Sequence, residues 1–145
     1  MISTKGRYAL RVMVDLAEQN RDGYIPLGQI AARQEISEKY LEIILKILVK
    51  EKLLKGLRGK GGGYKLTRSP SDYTVWEILT LTEGTLATVA CLAQDTETCA
   101  RSPKCRTLPM WKEFDNMVYD YFSRITLEDL MLGYGAVCPA KSRTD

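Results

Sequence analysis

The chain has 145 residues, 45% of them hydrophobic and 27% charged, the balance of a globular protein with one core and too little length for two independent enzymatic domains. It contains no histidine, and no carboxylates paired at convincing helical spacing take its place, so the residues argue against an acid–base enzyme. The formal net charge of +3 is uneven: Lys and Arg outnumber Asp and Glu 14 to 7 over residues 1–70 and are outnumbered 7 to 11 over residues 71–145, which predicts a polyanion-binding module followed by a part that regulates or dimerises it.

Residues 4–19 carry Tyr8, Val12, Met13, Leu16 and Ala17 at the spacing of an amphipathic helix, with Ser3 or Thr4 as its N-cap. Charges run through this segment without the apolar stretch of an export signal. The longest nearly apolar run, YLEIILKILV, is interrupted by Glu42 and Lys46 and is too short for a membrane span; the expected location is the cytoplasm. Pro26 opens a short helix, LGQIAARQ, and Ser37 caps a third whose apolar stripe is Tyr40, Leu41, Ile44, Leu45, Leu48 and Val49. About three residues join these two, the connection of a helix-turn-helix.

LLKGLRGKGGGYKLTR then reads as a β-hairpin with Arg58 and Lys60 at its Gly-rich tip. Three helices followed by a hairpin is the winged-helix order. Thr74 and Glu77 predict a capping box for a fourth helix through Leu81. A polar, turn-rich stretch with three cysteines follows. From Thr107 a longer helix is predicted, on which Met110, Trp111, Phe114, Met117, Val118, Tyr121, Phe122 and Ile125 recur near a period of 3.6. So wide an apolar face, with little chain left to cover it, predicts a two-fold partner helix.

The expected fold is mainly α with a small β-hairpin. A winged helix-turn-helix occupies residues 1–82, a cysteine-containing loop 83–106, a dimerisation helix with a short following helix 107–132, and an irregular tail 133–145.

In a helix-turn-helix the N-terminal part of the second helix enters the major groove. Here that part is Ser37, Glu38, Lys39 and Tyr40, with Glu42 one turn deeper. Ser, Lys and Tyr can bond purine acceptors or phosphates, and a carboxylate can accept from a cytosine amino group. Because phosphates repel a carboxylate that no base satisfies, Glu42 is expected to select among sites rather than add affinity. At the hairpin tip, Arg58 and Lys60 stand on a nearly bare backbone able to approach a minor groove. Seven basic residues between Lys50 and Arg68 face Glu51 alone. The plainer reading is a solvated basic face beside a turn. A phosphate-binding loop is excluded, since the G-x-x-x-x-G-K-[ST] order is absent.

Cys91, Cys99 and Cys105 are spaced C-x7-C-x5-C, with Cys138 in the tail. Thiolates are soft ligands for zinc or iron–sulfur clusters, and a reducing compartment keeps them available. Arg101, Lys104 and Arg106 favour thiolate over thiol. The paired C-x2-4-C knuckles of structural zinc sites are missing, which ranks zinc below a cluster. The alternative is that cysteine serves as a small core hydrophobe, which suits Cys91, at the end of LATVAC, better than the other two.

STKGRYALRVMVDLA, IPLGQIAARQEISEKYLEIIL, LRGKGGGYKL, KCRTLPMW and ITLEDL together resemble the family of the iron–sulfur cluster regulator (IscR) and its nitric-oxide-sensing and cysteine-metabolism repressor relatives, over about Met1 to Met131. The resemblance implies a homodimeric winged-helix transcription factor that reads a palindromic operator in double-stranded DNA. Its long helices would cross at the dimer interface, and the genes controlled would be those of iron–sulfur cluster biogenesis. It implies an iron–sulfur cluster, [2Fe-2S] ahead of [4Fe-4S], on Cys91, Cys99 and Cys105. Base reading would fall to Ser37, Glu38, Lys39, Tyr40 and Glu42, with Arg58 in the wing. One departure stands out: where such regulators carry a histidine three residues after the third cysteine, this chain has Leu108, and where some relatives use a first-helix carboxylate it has Arg7. Asp95, Glu97, Cys138 or an exogenous ligand are the candidates for the fourth position. The alternative function is a metal-free winged-helix repressor controlled by a partner protein or by thiol oxidation.

Overall fold

The computed structural model describes residues 2–19, 22–94 and 96–134. Its helices are α1 (Thr4–Glu18), α2 (Leu27–Gln34), α3 (Glu38–Lys50), α4 (Val75–Glu83), α5 (Leu108–Ser123) and α6 (Leu127–Met131), and its hairpin is β1 (Leu54–Leu57) with β2 (Gly63–Leu66). Single 3-10 turns lie at Pro70–Asp72, Ala90–Leu92 and Ser102–Lys104.

Local chemistry accounts for most of these boundaries. Ser3 accepts from the Gly6 N–H at the start of α1, and Ser37 from the Tyr40 N–H at the start of α3, relieving N–H groups that have no helical partner. The Thr74–Glu77 capping box forms only by half. Thr74 Oγ1 accepts from the Glu77 N–H at 3.1 Å, but Glu77 Oε1 instead takes Arg68 Nη2 at 2.7 Å. The complete box belongs to α6, where Thr126 and Asp129 cap each other's backbone.

The core is built on α1, α3 and α4, with Val12, Met13, Ile44, Leu45, Leu48 and Ile78 fully buried. One buried charge joins the first two helices: Arg33 Nε and Nη2 donate to the two Asp15 carboxylate oxygens at 2.8 and 2.7 Å, and Gln34 Nε2 donates to Oδ1 at 3.0 Å. Three donors compensate a carboxylate that burial would otherwise penalise, and they set α2 at a defined angle to α1.

The hairpin pairs Leu54 with Leu66 and Leu57 with Gly63. It is anchored by Ile25, which exchanges both backbone hydrogen bonds with Tyr64 at 2.9 Å. Gly63 makes this possible: it takes φ +147, and a Cβ there would collide with the Ile25 carbonyl.

Tyr73 is the joint between wing and body. Its ring is fully buried, its hydroxyl donates to the Leu53 carbonyl at 2.9 Å, and it accepts from the Thr67 and Arg68 N–H groups, each at 2.9 Å. Tyr73→Phe is expected to cost about 1–2 kcal/mol in urea-unfolding stability, since the Arg68 N–H is stranded while the Leu53 carbonyl keeps the Thr67 hydroxyl at 3.1 Å and the Thr67 N–H at 3.4 Å. Unchanged stability would mean that water or a shifted backbone takes over the bonds.

After α5 the chain returns to the same joint. Val75 N–H donates to the Ile125 carbonyl at 2.9 Å and Leu127 N–H to the Tyr73 carbonyl at 3.0 Å, and Leu127 is buried in the core of α1 and α3. Ile125, the last member of the predicted apolar stripe, is buried beyond the end of α5 rather than on it.

Candidate nucleic-acid interface and cysteine loop

The outward side of α3 begins with Ser37, Glu38 and Lys39, all exposed. The Glu38 carboxylate lies against Gly28 of α2. Tyr40 is half-buried and meets the Tyr8 ring edge-on, with centroids 5.9 Å apart; its ring braces α3 against α1, a packing duty that its place in the apolar stripe already signalled. Glu42 is exposed and pairs with Lys46 at 3.0 Å. Exposed i,i+4 pairs contribute only about 0.3–0.5 kcal/mol, so this carboxylate is readily released to another partner.

Arg58 and Lys60 project from the hairpin tip, where Gly59 and Gly61 take positive φ. Among the described residues, Lys39, Lys50, Arg58 and Lys60 form no ion pair, which leaves four unneutralised cations on the helix and wing. Two of the seven basic residues counted in this stretch have internal work instead. Lys65 sits over the Tyr24 ring, and Arg68 binds Glu77 and covers the Tyr73 ring. Sequence spacing could not separate these two from the rest.

The segment between α4 and α5 has little regular structure. Cys91 and Cys99 are exposed and Cys105 is half-buried. The exposure of Cys91 overturns the reading of that residue as a core hydrophobe. No three Cys, Asp or Glu side chains among the described residues converge on a point that could hold a metal. The three sulfurs are not sequestered in separate apolar pockets either. They lie on a loop whose residues from Glu97 to Arg101 are all exposed, and three soft thiol donors on such a loop fit a soft metal group that would gather them.

Cys105 is the best prepared of the three. Hydrogen bonds from the Thr107 hydroxyl and from the Thr107 and Leu108 N–H groups hold its thiol below the usual range, and Arg101 adds to this. The remaining ligand candidates are less developed: Glu97 is exposed, Leu108 occupies the first turn of α5, Arg7 is bound to Thr4 Oγ1 at 3.3 Å, and Asp95 and Cys138 lie outside the described residues.

One contact missed by sequence reasoning ties this loop to α5. Asp115 Oδ1 accepts from both the N–H and the hydroxyl of Thr88, at 2.9 and 2.6 Å. The spacing gave no signal for it, because the partners are 27 residues apart. α5 itself presents two stripes. Trp111, Asp115, Val118 and Phe122 are half-buried on the side toward the loop and α4, whereas Met110, Phe114, Met117 and Tyr121 are 53%, 46%, 60% and 42% exposed. The outer four alternate intervals of four and three, the spacing of a helix–helix seam.

No helix among the described residues is long and apolar enough to cross a membrane. The IscR regulator of Pectobacterium carotovorum is 33% identical over 130 residues, covering 90% of this chain and 78% of that protein. The structure of CymR, the global cysteine regulator of B. subtilis, superposes with a TM-score of 0.73 at 34% identity, covering 91% of this chain and 96% of that one. T. potens IscR gives 0.70 at 31% identity, covering 97% and 93%. The profile of Rrf2, described as an iron-dependent transcriptional regulator, matches residues 2–132. With nearly the whole described chain matched and the helix-turn-helix and wing in place, the protein belongs to the Rrf2 family of transcriptional regulators.

Proposed function

We propose that the protein is a homodimeric DNA-binding regulator whose grip on a palindromic operator is set by an iron–sulfur cluster on Cys91, Cys99 and Cys105, controlling genes of cluster biogenesis. The observation that carries the DNA side is the unneutralised cationic face of α3 and the wing on a family member of this kind. Ser37 and Lys39 bond bases or phosphates, Glu38 and Tyr40 flank them at the helix start, and Arg58 and Lys60 enter the minor groove beside it. The cluster side rests on three thiols within an exposed loop and on the similarity to IscR.

A bound cluster would supply redox-sensitive iron held by thiolates, so its loss or oxidation changes what orders the loop. The chain's own residues carry that difference onward. Thr88 holds the loop to Asp115 of α5. The exit of α5 is pinned to Val75 and to the Tyr73 backbone, and the Tyr73 hydroxyl holds the wing. Moving the loop therefore biases the spacing of the two recognition helices across the operator. Operator affinity of anaerobically purified, cluster-loaded protein and of cluster-free protein is expected to differ at fixed salt. Equal affinity for every operator in both states would overturn this reading.

The similarity to CymR and the stabilised Cys105 thiolate favour a second reading, a metal-free regulator governed by a partner or by thiol oxidation. Colourless, iron-free protein after anaerobic purification would select it.

Within either reading, Glu42→Ala is expected to compress the preference among duplexes by about 1–3 kcal/mol at the position that Glu42 reads, without weakening the overall affinity. Fluorescence anisotropy across a duplex series measures this, and an unaltered ranking would remove Glu42 from base selection.

A further inference from the structure

Lys39, Ile43, Lys46 and Lys50 follow one another at intervals of four, three and four, which places them on one stripe of α3. The three lysines are exposed, and Ile43 is 49% exposed among them. Packing of α3 is carried by Leu41, Ile44, Leu45 and Leu48, all fully buried, so the core makes no demand on Ile43. Alongside runs a groove of about 360 Å3 between α3 and the wing, lined in part by Glu42, Lys46, Leu57 and Arg58.

A lone exposed isoleucine needs no explanation on an ordinary surface. Here it occupies the middle of a lysine stripe. Phosphates flanking a major groove attract the lysines, and the same approach brings the isoleucine to the base edges between them. Its side chain can neither donate nor accept a hydrogen bond, so base edges that offer only donors and acceptors lose water against it without return. The apolar group on those edges is the C5 methyl of thymine.

We propose that Ile43 is a specificity-determining residue that reads one thymine per half-site through that methyl. The inference rests on the duplex-binding reading above and adds a base preference to it.

The test uses the full chain and a duplex enriched from a random pool by wild-type protein. Each thymine is replaced in turn, in both half-sites, by deoxyuridine, which removes only the methyl. At one symmetric pair of positions wild type is expected to lose about fourfold per half-site, the worth of one buried methyl-sized group, and about fifteenfold for the pair. Ile43→Ala should bind the thymine and deoxyuridine duplexes equally at that pair, and Ile43→Val should retain part of the discrimination. Both variants should unfold at the wild-type temperature, since the side chain is exposed. Wild-type indifference to deoxyuridine at every position overturns the inference, as does an Ile43→Ala protein that keeps the full penalty at the same pair. Failure of the pool to yield any enriched duplex overturns the duplex-binding reading, and this inference with it.

Discussion

Replacing Phe114 and Met117 together by Asp is expected to turn the proposed dimer into a monomer, read by sedimentation or light scattering at micromolar concentration. The outer stripe of α5 has the four–three spacing of a helical seam, and these two residues are its middle members, 46% and 60% exposed in the single chain. An aspartate buried in such a seam loses apolar contact and gains an unpaired charge. A two-fold seam then holds four of them, which together cost about 4 kcal/mol or more, close to a thousandfold in the dissociation constant of the dimer. The fold should survive, because neither side chain contributes to the core and surface substitutions stay within roughly 0.5 kcal/mol. Affinity for a two-half-site operator should fall by about a hundredfold or more, since the second half-site no longer binds as part of the same molecule. A variant that remains dimeric would show that a different surface joins the protomers.

Cys99→Ala is expected to emerge from anaerobic purification without iron, acid-labile sulfide or visible absorbance. A cluster on three thiolates and one further ligand has no reserve; removing one thiolate leaves the metal to solvent. Cys99 is exposed, so thermal unfolding should match that of cluster-free wild type and the loss cannot be ascribed to a damaged fold. Cys91→Ala and Cys105→Ala should behave alike, while Cys138→Ala reduces the iron content only if that thiol supplies the fourth ligand. Leu108→His adds an imidazole three residues after Cys105 and should slow cluster loss in air. Wild-type iron content in Cys99→Ala would move the protein to the metal-free reading.

Much of the architecture was legible because its causes are local. Ser3 and Ser37 cap α1 and α3, and Pro26 stands before α2. The glycines from Gly59 to Gly63 can turn only as a bare hairpin tip. Each signal lies within a few residues of the element it starts or ends. Errors arose where one side chain had two partners within reach. Glu77 was expected to close a box with Thr74, yet Arg68 offers a charged partner nine residues away and takes it. The same Arg68, and Lys65, belong by charge alone to an interface from which aromatic and acidic neighbours withdraw them. Cys91 follows a run of small apolar residues, but that run is not a packed strand or helix, and the thiol ends in solvent.

By itself, then, the amino-acid order determined the helices, the hairpin, the cationic face of α3 and the wing, and the clustering of three thiols on one loop. Periodicity, caps and turn residues act over distances shorter than a turn or two of chain. Only the tertiary structure decided that the wide stripe of α5 splits into an inner half facing α4 and an outer half that stays exposed. It alone brought Thr88 onto Asp115, and returned Ile125 and Leu127 to the Tyr73 joint that also holds the wing. Those contacts join residues about 27 to 54 positions apart. No period or spacing announces them, because which buried donor meets which acceptor is settled by how whole elements pack, once the backbone groups at their ends must find partners away from water.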